Sequence, residues 1–163
     1  MNVSESHNGV GSADAPGGEH RFIDREIRVR GLTLYTRRRL GNGVEPPLML
    51  IHGLGGSLDA WAPLLNALPD REIIMIDTPG MGRSEVPGSA MSMHGLADVL
   101  AAGIRELGVA QHDLLGYSLG GVIAQEFAHR YPDQVRRLIL VATVAGVPWL
   151  PPKPSVARDL LDP

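Results

Sequence analysis

The sequence has no cysteine, which excludes disulfides and thiol chemistry and fits a reducing compartment. Lysine is almost as scarce: of 15 basic residues, 14 are arginine and only Lys153 is lysine. With no P-loop lysine and no G-x-G-x-x-G after the first predicted parallel strand, the glycine-rich loops give no support to nucleotide binding. Basic charge is not in excess either. The 15 basic and 18 acidic residues leave a net charge of −3, so nothing marks nucleic acid as a partner. No apolar run approaches the ~18–20 residues of a membrane span. The opening MNVSESHNGVGSADAPGGEH lacks both the basic and the apolar region of a signal peptide. Rich in Gly, Ser, Asn and Pro, residues 1–20 are expected to form a disordered tail, and the expected location is cytoplasmic.

What remains is an ordinary globular composition, 44% apolar and 20% charged, in 163 residues, enough for one domain with a core. FIDREIRVRG and LTLYTRRR alternate apolar with polar residues around Gly31 and predict a hairpin. PLMLIHG (Pro47–Gly53), EIIMID (Glu72–Asp77), HDLLGYS and RRLILVAT (Arg136–Thr143) are short continuous apolar runs, the pattern of strands buried on both faces. Between them fall predicted helices. One runs from Asp59 to Leu68 before Pro69, and one has Leu96, Leu100, Ile104 and Leu107 on a single stripe closed by Gly108. A third, Leu119–Tyr131, stops at Pro132. A hairpin followed by alternating strands and helices predicts an α/β domain with a mostly parallel sheet and helices on both faces. Ligands in such domains bind at the carboxyl ends of the strands, where His52, Asp77, Ser118 and Thr143 fall.

The sharpest motif is LLGYSLGGVIAQ. Gly116-Tyr117-Ser118-Leu119-Gly120 fits G-x-S-x-G between a predicted strand and a predicted helix, the context a nucleophile elbow requires. The turn strains its central residue and aims the hydroxyl outward, while the glycines let strand and helix approach closely. The helix N-terminus offers free N–H groups and a positive dipole to an oxyanion, the Leu119 N–H among them. HGLGGS (His52–Ser57) follows a predicted buried strand, where a second donor belongs; the Leu54 N–H is the candidate. Gly53 belongs to that loop, and His52 is read as holding it by hydrogen bonds.

With DTPGMGRSE (Asp77–Glu85), these stretches resemble the α/β-hydrolase superfamily in order and spacing, from about Phe22 to Thr143. LILVATVAGVPWLPPKP is similar to a narrower branch, the intracellular poly(3-hydroxyalkanoate) depolymerases. The matching residues are Ala142, Thr143, Ala145, Gly146 and Pro152-Lys153-Pro154. That branch tends to carry Trp where this chain has Leu119, and often Asn where it has His52. The resemblance implies an eight-stranded sheet with the sixth strand inside it, catalysis by Ser118 without metal or cofactor, and a triad in the order Ser, Asp or Glu, His. The hydrolase core is expected over 21–147, and the Pro-rich 148–163 as the opening of a cap or lid.

The triad partners are the difficulty. Only 45 residues follow Ser118, and their one histidine, His129, lies about eleven residues along the next helix, ~16 Å at 1.5 Å per residue. His52 is the only plausible substitute in space. His94 and His112 precede the elbow with no motif around them, and His7 and His20 lie in or beside the tail. Asp133 is expected at the wrong end of the sheet, and Asp159 and Asp162 read as surface charges. The chain is therefore expected to be the N-terminal part of a hydrolase, lacking the last strands and inactive or nearly so alone. Its sixth strand would be an exposed apolar edge, open to self-association. The function expected by resemblance is hydrolysis of a 3-hydroxyalkanoate ester or polyester. The rivals are a carbon–carbon bond hydrolase, a cofactor-free perhydrolase, and a non-enzymatic binding or oligomerising module.

Overall fold

The structure is a computed structural model and describes residues 22–144. The first strands, β1 (Phe22–Val29) and β2 (Leu32–Arg39), form the predicted hairpin. Their two-residue turn, Arg30-Gly31, has φ of 50° and 86°, the doubly positive pair that matches the twist of tight hairpins. Then come β3 (Leu48–Ile51), β4 (Ile73–Ile76), β5 (His112–Tyr117) and β6 (Val135–Val141). The sheet order is β1-β2-β4-β3-β5-β6, with β2 antiparallel to β4 and the last four strands mutually parallel.

Helix α1 (Ala62–Ala67) covers one face, and α2 (Met93–Glu106) and α3 (Leu119–Arg130) cover the other. Strand alternation sorts the side chains between two cores. Leu48, Leu50, Ile73, Met75 and Leu115 meet Leu58 and Trp61 beside α1. Met49, Ile51, Ile74, Ile76 and Leu114 meet Leu96, Leu100, Ile104 and Phe127 of α2 and α3. This two-sided burial is why β3 and β4 read as unbroken apolar runs.

Three boundaries differ from the sequence expectation. The segment expected as one helix from Asp59 is a 3-10 turn, Leu58–Trp61, capped by the Ser57 hydroxyl, followed by α1 with Pro63 in its first turn. β6 ends at Val141 rather than Thr143 because Ala142 turns left-handed, with φ of 48°. β6 is also not buried: Leu138, Ile139 and Val141 are about 40% exposed, since it pairs only with β5 among the described residues. The expected tail (1–20) and cap opening (148–163) lie outside the described residues.

Candidate active site

Parallel strands in register deliver their carboxyl ends together. Ile51 pairs with Gly116 and Gly116 with Leu140, so the His52 loop, the serine and the β6 exit emerge side by side. Ser118 joins β5 to α3 with φ 53° and ψ −120°, a conformation that residues with a Cβ rarely adopt. The flanking glycines are forced by contact. A side chain at Gly116 would run into the Gly120 carbonyl, and one at Gly120 into the carbonyls of Ile51 and His52. Strand, helix and the end of β3 therefore meet at backbone distance. The Ser118 N–H donates to the Val141 carbonyl at 3.0 Å, and the Ser118 carbonyl accepts from the Gly121 N–H at 2.9 Å. The Ser118 side chain makes no capping bond to its own helix, and no acidic residue stands in the first turn of α3. Leu119 opens that helix, whose first N–H groups have no intrahelical acceptor.

The loop after β3 lies against the serine. A Cβ at Gly53 would sit 3.2 Å from Ser118 Cβ and 3.3 Å from the Tyr117 ring. Leu54, beyond it, is 70% exposed. Gly55 has φ of 67°, and the Gly56 N–H closes the turn on the Gly53 carbonyl at 3.1 Å.

His52 is buried and fully engaged. Its Nε2 accepts from the Thr78 N–H at 3.2 Å, which leaves the proton on Nδ1 to be donated to the Gly53 carbonyl at 2.9 Å. A ring used at both nitrogens has no lone pair for the serine, so its place as substitute base is not supported by this geometry. The nearby Asp77, 1% exposed, is spent likewise. Its Oδ1 accepts from the Leu58 N–H and its Oδ2 from the Arg83 N–H, both at 2.9 Å. This carboxylate ties the loops after β3 and β4 together. Its position at the end of an apolar strand was visible in the sequence, but not the two amides it serves.

The other described histidines are remote. His129 is on the last turn of α3, and His94 pairs with Glu126 at 3.4 Å. His112 opens β5 at the far end of the sheet, wholly buried, its ring edge-on to Phe127 and both nitrogens without a hydrogen-bond partner among the described residues. Burial pushes its pKa down to about 4, against a smaller opposing pull from Asp113. Asp113 accepts from Arg136 (Nε 2.7 Å, Nη2 2.6 Å) and Arg71 (Nη2 2.6 Å), with Glu45 alongside both arginines. The Arg136 bond is the main cause holding Asp113 below the ordinary carboxylate range. All this lies at the amino end of the parallel strands, away from the serine. Among the described residues no cluster of His, Cys, Asp and Glu could hold a metal ion, and no helix is long and apolar enough to cross a membrane.

Residues 46–162 match the family model of the alpha/beta hydrolase fold. The chain belongs to the α/β-hydrolase fold family. It is 36% identical over 143 residues to a poly(3-hydroxyalkanoate) depolymerase of Ectopseudomonas oleovorans, covering 87% of this chain and 50% of that protein. It is 38% identical over 130 residues to a 2-hydroxymuconate semialdehyde hydrolase of Pseudomonas sp. (strain CF600), covering 77% and 44%. The crystal structure of a hydrolase from Pseudomonas aeruginosa superposes with a TM-score of 0.72 at 29% identity, over 84% of this chain and 50% of that one. The chain thus spans about half the length of these hydrolase relatives.

Proposed function

We propose that Ser118 is the nucleophile of a serine ester hydrolase. The observation that carries this is its positive φ on a strand-to-helix turn, with the Gly53–Leu54 loop packed against it. The hydroxyl oxygen attacks the ester carbonyl carbon, and the N–H groups of Leu54 and Leu119 hold the oxygen that becomes negative. Collapse expels the alcohol and leaves an acyl-serine, which water cleaves to acid and free serine. The proton shuttle and its orienting acid come from outside the described residues, because no described histidine is free and near enough. Likeness to the depolymerase supports a 3-hydroxyalkanoate ester or polyester as substrate. A carbon–carbon bond hydrolase is the second reading, supported by likeness to the semialdehyde hydrolase.

The test is fluorophosphonate labelling read by mass spectrometry, beside release of hydroxyacid from 3-hydroxyalkanoate oligomers. In protein that carries the proton shuttle, the expected outcome is label on Ser118, with label and turnover both lost in Ser118→Ala. Turnover that survives Ser118→Ala overturns the reading. Turnover of a dienone-type diketone with no hydroxyacid release favours carbon–carbon cleavage.

A second copy of the chain is proposed as the partner of the β6 edge. Antiparallel pairing centred on Leu138 sets Arg136 and Arg137 opposite apolar positions 140 and 139 of the other copy, whereas parallel pairing would stack arginine on arginine.

A further inference from the structure

The β6 exit, residues 141–144, is fastened to the elbow helix at three successive points. Ser118 donates to the Val141 carbonyl beside the last rung of the β5–β6 ladder. Ala142 then turns the chain left-handed, and the Thr143 side chain lands on Gly121, where any side chain on the glycine would run into the threonine. One turn along α3, Gln125 Nε2 donates to the Val144 carbonyl at 2.7 Å and to the Gly121 carbonyl at 3.1 Å. Both partners are acceptors, so the amide nitrogen must be the atom that faces them. The Thr143 hydroxyl is buried and has no hydrogen-bond partner among the described residues, so toward α3 this side chain contributes shape rather than a hydrogen bond.

A sparsely populated backbone conformation persists only where its surroundings over-determine it. At Ser118 those surroundings come from β5 behind, the end of β3 through Gly120, and the β6 exit. The first two act through the G-x-S-x-G glycines; the third acts through residues outside that motif. We propose that Gln125 and Thr143 are positioning residues for Ser118, clamping the β6 exit onto the first turn of α3 so that the serine keeps its outward-facing backbone. The inference rests on Ser118 being the nucleophile.

The test combines amide hydrogen exchange by NMR with the rate of fluorophosphonate labelling, in the wild type, Gln125→Met, Thr143→Ala and the shape-restoring Thr143→Val. Exchange at Ser118 is read against core amides of Leu100 and Leu114, so that general destabilisation is separated from loosening at the elbow. Gln125→Met and Thr143→Ala are each expected to speed Ser118 exchange at least tenfold relative to those amides and to slow labelling at least tenfold. Thr143→Val is expected to restore both. Ser118 exchange that stays level with the core amides overturns the clamp, as does labelling at the wild-type rate in both loosening variants. Label on a residue other than Ser118 overturns the nucleophile reading; where no label appears, the exchange ratios alone decide the clamp.

Discussion

Among the described residues, the two edge strands of the sheet are built on opposite plans. β1 is finished as an edge: Asp24, Arg25, Glu26 and Arg28 crowd it, and only Ile27 and Val29 are buried. Its Asp24 accepts from Arg37 Nε and Nη2 at 2.8 Å and from the Tyr35 hydroxyl at 2.5 Å, all in the open. β6 opens with Val135, Arg136 and Arg137, but Leu138, Ile139, Leu140 and Val141 follow with no charge among them. Charged residues on an edge repel a further strand, whereas an apolar run invites one. The amino ends differ as well. β6 is anchored there by a buried carboxylate between two guanidiniums, and β1 is tied to β2 by an exposed carboxylate.

That contrast can be broken by substitution, the largest effect first. Asp113→Asn should cost about 3 kcal/mol in urea unfolding, because it removes the buried anion that Arg71 and Arg136 share and leaves only Glu45 to them. The acid limb of the stability profile should come next in size. His112 is depressed from 6.5 to about 4, so between those values the unfolded chain holds the extra proton. Its neutral burial therefore contributes fully above pH 6.5, and that contribution falls by about 3 kcal/mol as pH drops to 4. His112→Leu should flatten this limb. Asp113, also depressed in the folded state, adds a second loss only as pH falls from its ordinary 3.8 through its folded value.

At the apolar edge, Leu138→Lys with Ile139→Lys should weaken self-association at least tenfold in sedimentation equilibrium, about 1.4 kcal/mol or more. A wild type that stays monomeric at all concentrations would mean that something other than a second copy covers β6. The smallest effect belongs to the charged edge. Asp24→Asn should cost only about 0.2–1 kcal/mol, since Asp24 is 37% exposed and water already screens its pairing with Arg37. A cost as large as that of Asp113→Asn would erase the distinction between the edges.

Most of the fold was legible because its elements are local in the chain. The hairpin, the buried runs at 48–51 and 73–76, the α2 stripe and the G-x-S-x-G turn each announce themselves within a dozen residues. The fit of Gly116 and Gly120 follows from the same motif. Less legible were groups whose partners lie far along the chain. Asp113 reads as one more charge until Arg71 and Arg136 arrive from 42 and 23 residues away. Arg39 reads as the end of a basic run, yet it is wholly buried, donating to the Leu65 carbonyl in the last turn of α1 and to the Leu68 and Arg71 carbonyls beyond it. Gly121 could have been singled out as the second glycine of a pair, whereas nothing near Gln125 pointed to Val144.

By itself, then, the sequence determined which segments are strands and helices, that the sheet is mainly parallel, and that a serine stands on the hinge. Periodicity, capping and turn chemistry act over a few residues and need no partner to be read. Only the tertiary structure decided that β4 sits between β2 and β3, that both His52 nitrogens and both Asp77 oxygens are consumed by loop amides and carbonyls, and that the β6 exit reaches Gln125. Those outcomes depend on which strands become neighbours, and strand order is set by closing both cores at once rather than by any one stretch of chain.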